Sequence, residues 1–168
     1  MGHIKPLDTF SSLNASRAGY ATRAWLVAVV PPLLYFAVRV AIGADSLRPP
    51  VDALDPVFAA YSILAAPLLE TALMLPLALL LARILPRQTR LQIAALAVTC
   101  ALAHKLGGGW RQVLASLWPL LIYATTLTTW LKRSSKDAFV ITAGVHTLYN
   151  ATFFAVGALG FVVTSLDQ

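Results

Sequence analysis

The chain contains few charged residues and only one cysteine. Of its 168 residues, 12% are charged and 58% are hydrophobic, whereas an ordinary soluble domain is roughly 45–50% apolar. This composition excludes a typical water-soluble globular protein. The single cysteine, Cys100, excludes an intrachain disulfide framework and a metal site built from several cysteines. The length allows one domain at most.

Acidic residues are also scarce, and the chain is basic. The chain has thirteen Lys and Arg and seven Asp and Glu, which gives a net charge of +6. Such a balance could indicate nucleic-acid binding, which requires basic residues on one solvated face. Here the basic residues lie in short clusters between apolar runs. We therefore expect the lipid bilayer, and no nucleic acid, as the surrounding partner.

Five apolar stretches are long enough, or nearly so, to cross a hydrocarbon layer, which takes roughly 20 helical residues. Backbone groups in lipid must be satisfied internally, and the period-2 pattern of a membrane barrel is absent, so the stretches are predicted α-helices. The third is short, and we expect the glycines at 107–109 to end it. Prolines mark expected kinks. The stretches are 24–42, 57–82, 91–104, 110–131 and 138–166, and the prolines are Pro31, Pro32, Pro67, Pro76 and Pro119.

The distribution of basic residues predicts the orientation. Lys and Arg cluster before the first stretch, between the second and third, and between the fourth and fifth, which places these ends in the cytoplasm. The fold class is thus an all-α polytopic bundle with the N-terminus inside and the C-terminus outside. Residues 1–23 form a cytoplasmic segment, 24–166 a single transmembrane domain, and 43–56 an outer acidic loop. We interpret 24–42 as a membrane helix rather than a signal peptide. Trp25, Trp110 and Trp130 at stretch ends are expected in an aromatic belt.

One carboxylate lies where it is energetically costly. Glu70 is near the centre of the second stretch, with no basic residue one helical turn away. A charged side chain within the membrane costs several kcal/mol unless it is protonated, paired or hydrated, and it is by default a functional-site hypothesis. A partner for Glu70 must therefore come from another helix.

Three further polar residues are candidates for that partnership. His104 ends the third stretch, and His146 and Asn150 are four residues apart in the fifth, on one helix face. At 1.5 Å per residue from the cytoplasmic ends, Glu70, His104 and Asn150 come out about 20 Å deep and His146 about 14 Å. The four side chains could therefore share one buried polar site. His3, near the N-terminus, is not a candidate.

Each residue also has a structural interpretation. Glu70 could be a protonated acid that hydrogen-bonds between helices, His104 could lie at the membrane interface, and His146 with Asn150 could join helices through hydrogen bonds. Cys100 is four residues before His104, a spacing that permits a thiol nucleophile with an imidazole base, although a buried cysteine is more often a small apolar filler.

Residues 65–154 resemble the CPBP intramembrane proteases, the group that contains the CAAX prenyl endopeptidases and the bacterial abortive-infection and bacteriocin-immunity proteins. The resemblance rests on the Ala-Pro-x-x lead-in to Glu70, on His104 and on His146-x-x-x-Asn150. Of the family's EExxxR motif only the first Glu is present, because Thr71 and Leu75 occupy the other two positions. Of FxxxH only the His is present, because Cys100 replaces the Phe.

The resemblance implies a glutamic endopeptidase of the bacterial inner membrane. Glu70 would deprotonate a water held by His104, and His146 and Asn150 would stabilise the oxyanion. No cofactor is required, although zinc held by Glu70, His104 and His146 is possible on ligand type. The substrate would be a membrane-associated peptide or protein. Two alternatives stay open: a non-catalytic binding or immunity protein of the same fold, and a transport subunit that uses these residues as a proton relay.

Overall fold

The computed structural model describes residues 16–42 and 55–166, and within them the chain is all-α. The N-terminal residues, with His3, and positions 43–54 of the predicted outer loop lie outside the described residues. The helices are α1 (Arg17–Ala41), α2 (Pro56–Ala60), a π-helical segment (Tyr61–Ala65), α3 (Ala66–Ile84), α4 (Thr89–Ala103), α5 (Lys105–Leu131) and α6 (Ser135–Leu166).

Helix α1 begins seven residues earlier than predicted. The hydroxyl of Ser16 accepts a hydrogen bond from the Gly19 N–H at 3.1 Å and so caps the helix. In the next turn Tyr20 is 3% exposed and contacts Trp130 edge-on, with 5.5 Å between the ring centroids. Residues 17–23 therefore belong to α1 and to the helical bundle.

The outside of the bundle is apolar. Leu34, Leu73 and Leu114 are each more than 60% exposed although they lie within helices. Large apolar surfaces of this kind are rare on proteins that face water. Four described helical stretches, Arg17–Ala41, Pro56–Ile84, Gly109–Leu131 and Ser135–Leu159, are long and apolar enough to span a membrane, and α4 is shorter. The predicted membrane helix bundle is confirmed.

Contacts between helices define their relative directions. Arg17 pairs with Asp137 at 2.7 Å, and further along Trp25 donates to Thr152, so α1 and α6 run in the same direction. Tyr20 meets Trp130 at one end of α1, and nearer its middle Trp118 donates to the Val27 carbonyl, so α5 runs oppositely.

One of the three predicted interface tryptophans lies in the core. Trp130 is 0% exposed, packed beside Tyr20 and under the guanidinium of Arg133. Trp110, in contrast, is 60% exposed. Trp130 lies near a helix end, where an interface position was predicted. The start of α1 covers that end and buries the ring.

Within the described helices, non-helical backbone angles occur at one glycine. Helices α1, α3 and α5 continue through their internal prolines. We had expected the glycines at 107–109 to end the third stretch. Helix α4 ends earlier, at Ala103. Instead Gly109 kinks α5 with φ 66° and ψ −162°, backbone angles that only glycine adopts readily.

A tryptophan compensates for a proline in α1. In a regular helix the Val27 carbonyl would accept from residue 31, but Pro31 has no N–H. The indole Nε1 of Trp118, on α5, donates to this carbonyl at 3.0 Å. The bond satisfies a polar group that lipid could not and joins α1 to α5.

Candidate functional site

Glu70 lies between two imidazoles that come from two other helices. Its Oε2 is 3.9 Å from Nε2 of His104, at the end of α4, and 3.7 Å from Nε2 of His146, on α6. The Glu70 side chain is 37% exposed, that of His104 26% and that of His146 7%. The structure thus brings together three of the four residues that the sequence singled out.

The fourth residue borders the same cavity. Asn150 lines a pocket of about 340 Å³ together with Glu70, His104 and His146. This volume has room for several water molecules, since one occupies about 30 Å³ in the liquid. The remaining walls come from α5 and from one tyrosine of α6: Gln112, Ala115, Ser116, Pro119, Leu120, Tyr123 and Tyr149.

His104 is oriented by its own helix. Its Nδ1 lies 2.9 Å from the carbonyl oxygen of Cys100. Because a carbonyl can only accept, this contact places a proton on Nδ1, and in the neutral imidazole the lone pair of Nε2 then faces Glu70. Two acceptors 3.9 Å apart do not hydrogen-bond to each other. They are well placed to accept both protons of one bridging water.

His146 is held by an aromatic ring. It stacks on Tyr123 with 4.3 Å between centroids and 28° between planes. Its buried Nδ1 has no hydrogen-bond partner within the described part of the chain. A proton on Nε2 would instead face the Glu70 carboxylate. We therefore infer that His146 presents an Nε2–H donor to the cavity.

Asn150 donates a hydrogen bond to a backbone carbonyl that Pro67 leaves without a helical donor. In the π-helical segment the Ala66 N–H donates to Tyr61, five residues back. In an α-helix the Ser62 carbonyl would accept from the Ala66 N–H, but this N–H is already bonded to Tyr61. In a π-helix it would accept from residue 67, which is a proline and has no N–H. The amide Nδ2 of Asn150 donates to the Ser62 carbonyl at 2.7 Å. The second N–H of the carboxamide is left for a group in the cavity.

Cys100 contributes its backbone rather than its thiol. The side chain is half-buried and packs against the hydrophobic core, and it does not line the cavity. Its carbonyl oxygen lies 2.9 Å from Nδ1 of His104. This placement agrees with an apolar filler.

The two positions that depart from the EExxxR motif face the packed interior. The Thr71 side chain is 0% exposed, and Leu75 packs against the core. Removing both members of a buried ion pair can be neutral, whereas removing only one is costly. Neither Thr71 nor Leu75 carries a charge, so no ion pair is buried at these two positions.

No group of three or more His, Cys, Asp and Glu side chains among the described residues is arranged to hold a metal ion. The alternative zinc set of Glu70, His104 and His146 stays a prediction.

Several cavity residues were not predicted from the sequence. Tyr123, Tyr149, Gln112 and Ser116 line the pocket, yet none is unusual by itself in a membrane helix. Tyr149 could have been found, since it lies three residues after His146 and one before Asn150. The α5 residues could not, because their approach depends on how α5 packs.

No known protein family, curated protein or solved structure matches the chain. The resemblance to the CPBP proteases accordingly rests on the residues named above and stays a prediction.

Proposed function

We propose that the protein is an intramembrane endopeptidase in which Glu70 activates a water molecule. The observation that carries the proposal is the convergence of Glu70, His104 and His146 from three helices on one cavity, with Nε2 to Oε2 distances of 3.7 and 3.9 Å. A carboxylate and two imidazoles within a membrane bundle are costly unless they act together.

The first step is attack by water on the substrate carbonyl. The Glu70 carboxylate accepts one proton of the water while its oxygen forms a bond to the carbonyl carbon, and a tetrahedral oxyanion results. A partly desolvated carboxylate is a better proton acceptor than one in bulk water. Nε2 of His104 accepts the second water hydrogen and so orients the attacking oxygen.

The second step is the collapse of the intermediate. The C–N bond breaks, and the proton held by Glu70 passes to the leaving amine, so that the carboxylate is regenerated. Nε2–H of His146 and the second N–H of Asn150 donate to the oxyanion before it collapses. Fixed donors of this kind are worth about a hundredfold to a thousandfold in rate each. No bound metal is needed for these steps.

The substrate is a membrane-associated peptide or protein. The cavity lies within the bundle and not on a terminal loop, which supports a scissile bond that enters from the bilayer. The basic clusters favour an N-terminus inside and a C-terminus outside, and the resemblance favours the inner membrane of a bacterium.

Mass spectrometry of peptide termini tests the proposal without a known substrate. Membranes that contain the wild-type protein are compared with membranes that contain Glu70→Gln, which keeps the side-chain size but cannot accept the proton. We expect new termini in membrane proteins only with the wild type. Identical termini in both samples would refute the proposal.

The same pair of proteins separates the alternatives. A non-catalytic binding or immunity protein yields identical termini, and its biological effect survives Glu70→Ala. A proton relay yields proton flux in liposomes that is lost in Glu70→Gln, with no new termini in either sample. Transporters also usually show internal repeats, which the sequence does not contain.

A further inference from the structure

A second, larger cavity adjoins the site. It has a volume of about 960 Å³ and is bordered by α1, α5 and α6. It shares Gln112, Ala115 and Tyr149 with the cavity around Glu70. We call it the groove. Its floor and walls are mainly apolar: Pro31, Pro32, Tyr35, Phe36, Leu114, Ala115, Trp118 and Phe153.

An aromatic series connects the site with the groove. His146 stacks on Tyr123, Tyr123 meets Tyr149 edge-on at 6.1 Å, and Tyr149 contacts Phe153 at 4.7 Å. Phe153 is seven residues beyond His146 on α6, which corresponds to about 10 Å along the helix. A molecule in the groove can therefore reach the reacting position.

The groove lies toward one end of the bundle, and two arginines are among the residues that line it. It uses the second half of α1, the middle of α6 and the earlier part of α5. These parts are neighbours because α5 is antiparallel to the other two helices. Arg39 and Arg111 line it, and no acidic residue among the described ones does. The Arg39 guanidinium donates to the Tyr35 hydroxyl at 3.3 Å and lies over that ring, which holds it at the groove.

We propose that the groove binds the apolar segment of the substrate next to the scissile bond, and that Arg111 pairs with an acidic side chain of that segment. The proposal rests on the endopeptidase function proposed above. Positive charge beside an apolar wall selects an apolar peptide with a carboxylate at one end.

Gln112 favours a peptide over a lipid as the occupant. Its carboxamide lies at the junction of groove and site. A peptide backbone in the bilayer needs partners for its N–H and C=O groups, and a carboxamide offers both a donor and an acceptor. The acyl chain of a lipid would leave this amide without a partner.

Photo-crosslinking in lipid vesicles tests the groove separately from catalysis. The full chain carries Glu70→Gln, so that nothing is cut, and a photoreactive amino acid replaces Leu114 on the groove wall. The probes are two C-terminally amidated peptides with one apolar sequence that ends in Asp-Asp or in Lys-Lys. We expect the acidic peptide to crosslink about fivefold more strongly per ion pair. Arg111→Glu should abolish the preference, because Arg39 and the new carboxylate would then offset each other.

Lys105→Glu is the matched control. Lys105 is exposed near the same end of the bundle but contacts the Trp110 ring instead of lining the groove. This charge reversal should leave the preference unchanged. Equal crosslinking of both peptides, or the same effect from Lys105→Glu and Arg111→Glu, would overturn the proposal. So would loss of the acidic-peptide signal on adding anionic phosphatidylglycerol, which would assign the groove to lipid.

The two proposals can fail independently. If membranes with the wild type contain new termini but neither Arg111 nor peptide charge affects crosslinking, the endopeptidase stands and the groove assignment is wrong. If the acidic peptide crosslinks selectively but no protein is cut, the groove is a binding site and the endopeptidase is wrong.

Discussion

His104 and Glu70 approach each other without a direct hydrogen bond, because Nε2 of the imidazole lies 3.9 Å from Oε2 of the carboxylate. The Cys100 carbonyl holds the opposite side of the ring, 2.9 Å from Nδ1. The free lone pair of Nε2 and the carboxylate oxygen are both acceptors, so a water molecule can donate to both. The pair therefore positions a water for proton transfer.

Replacing His104 by Ala should lower the cleavage rate by about 10² to 10⁴, the usual contribution of a positioned acid–base group. The reason is that water would keep its contact with Glu70 but lose its orientation. Single-turnover cleavage of a reconstituted substrate measures the effect. A rate within threefold of the wild type would show that His104 has no part in the reaction.

Cys100→Ala should leave the cleavage rate almost unchanged. The contact between Cys100 and the His104 imidazole is made by the Cys100 carbonyl, which alanine keeps, and the thiol does not line the cavity. Thiol-alkylating reagents should likewise have no effect on the wild type. Loss of activity in the Ala variant that is regained in Cys100→Ser would instead indicate a nucleophile at this position.

Asn150→Ala should have two effects that Pro67→Ala separates. It leaves the Ser62 carbonyl without a partner, at a cost of about 0.6 to 2 kcal/mol in the free energy of unfolding. It also removes an oxyanion donor, which should lower the rate about 10²- to 10³-fold. In a Pro67→Ala background residue 67 has an N–H, so the stability cost should shrink while the loss of rate persists.

A double-mutant cycle, with SDS denaturation for stability and single-turnover kinetics for rate, measures both terms. Pro67→Ala alone is the control for changes in the helix itself. If both effects of Asn150→Ala disappeared in the Pro67→Ala background, Asn150 would act only through the π-helical segment and not on the substrate.

Tyr123 should matter for its ring and not for its hydroxyl. Its buried oxygen has no hydrogen-bond partner among the described residues, so Tyr123→Phe should leave the free energy of unfolding unchanged or raise it. Tyr123→Leu removes the stack on His146, worth about 0.5 to 1.5 kcal/mol, and should lower the rate up to about tenfold. Equal rates for the Phe and Leu variants would show that stacking does not position His146.

Much of the fold is visible in the sequence because membrane helices are constrained by length and hydropathy. The stretch 110–131 corresponds closely to the span that follows Gly109. The start of α1 was missed because the segment before residue 24 is too polar for a membrane pattern, and its helix depends on the Ser16 cap and on Tyr20 packing against Trp130.

Part of the candidate site could be predicted from the sequence, namely the residues whose burial in a bilayer has a high free-energy cost. Glu70, His104 and His146 are energetically unfavourable in a bilayer, and this identified them as candidates. Tyr123 and Gln112 carry no such cost, so only the packing of α5 reveals them. The bond from Asn150 to Ser62 was equally hidden, because it depends on a helical register that a proline disturbs locally.

The most direct test of the account is the first-turnover cleavage of a membrane peptide substrate in H₂¹⁸O by the wild type and by Glu70→Gln at equal folded concentration. We expect one ¹⁸O atom in the new carboxylate of the wild-type product, because water attacks the carbonyl. We expect the rate to be at least about a thousandfold lower for Glu70→Gln. Cleavage by Glu70→Gln at the wild-type rate would contradict it.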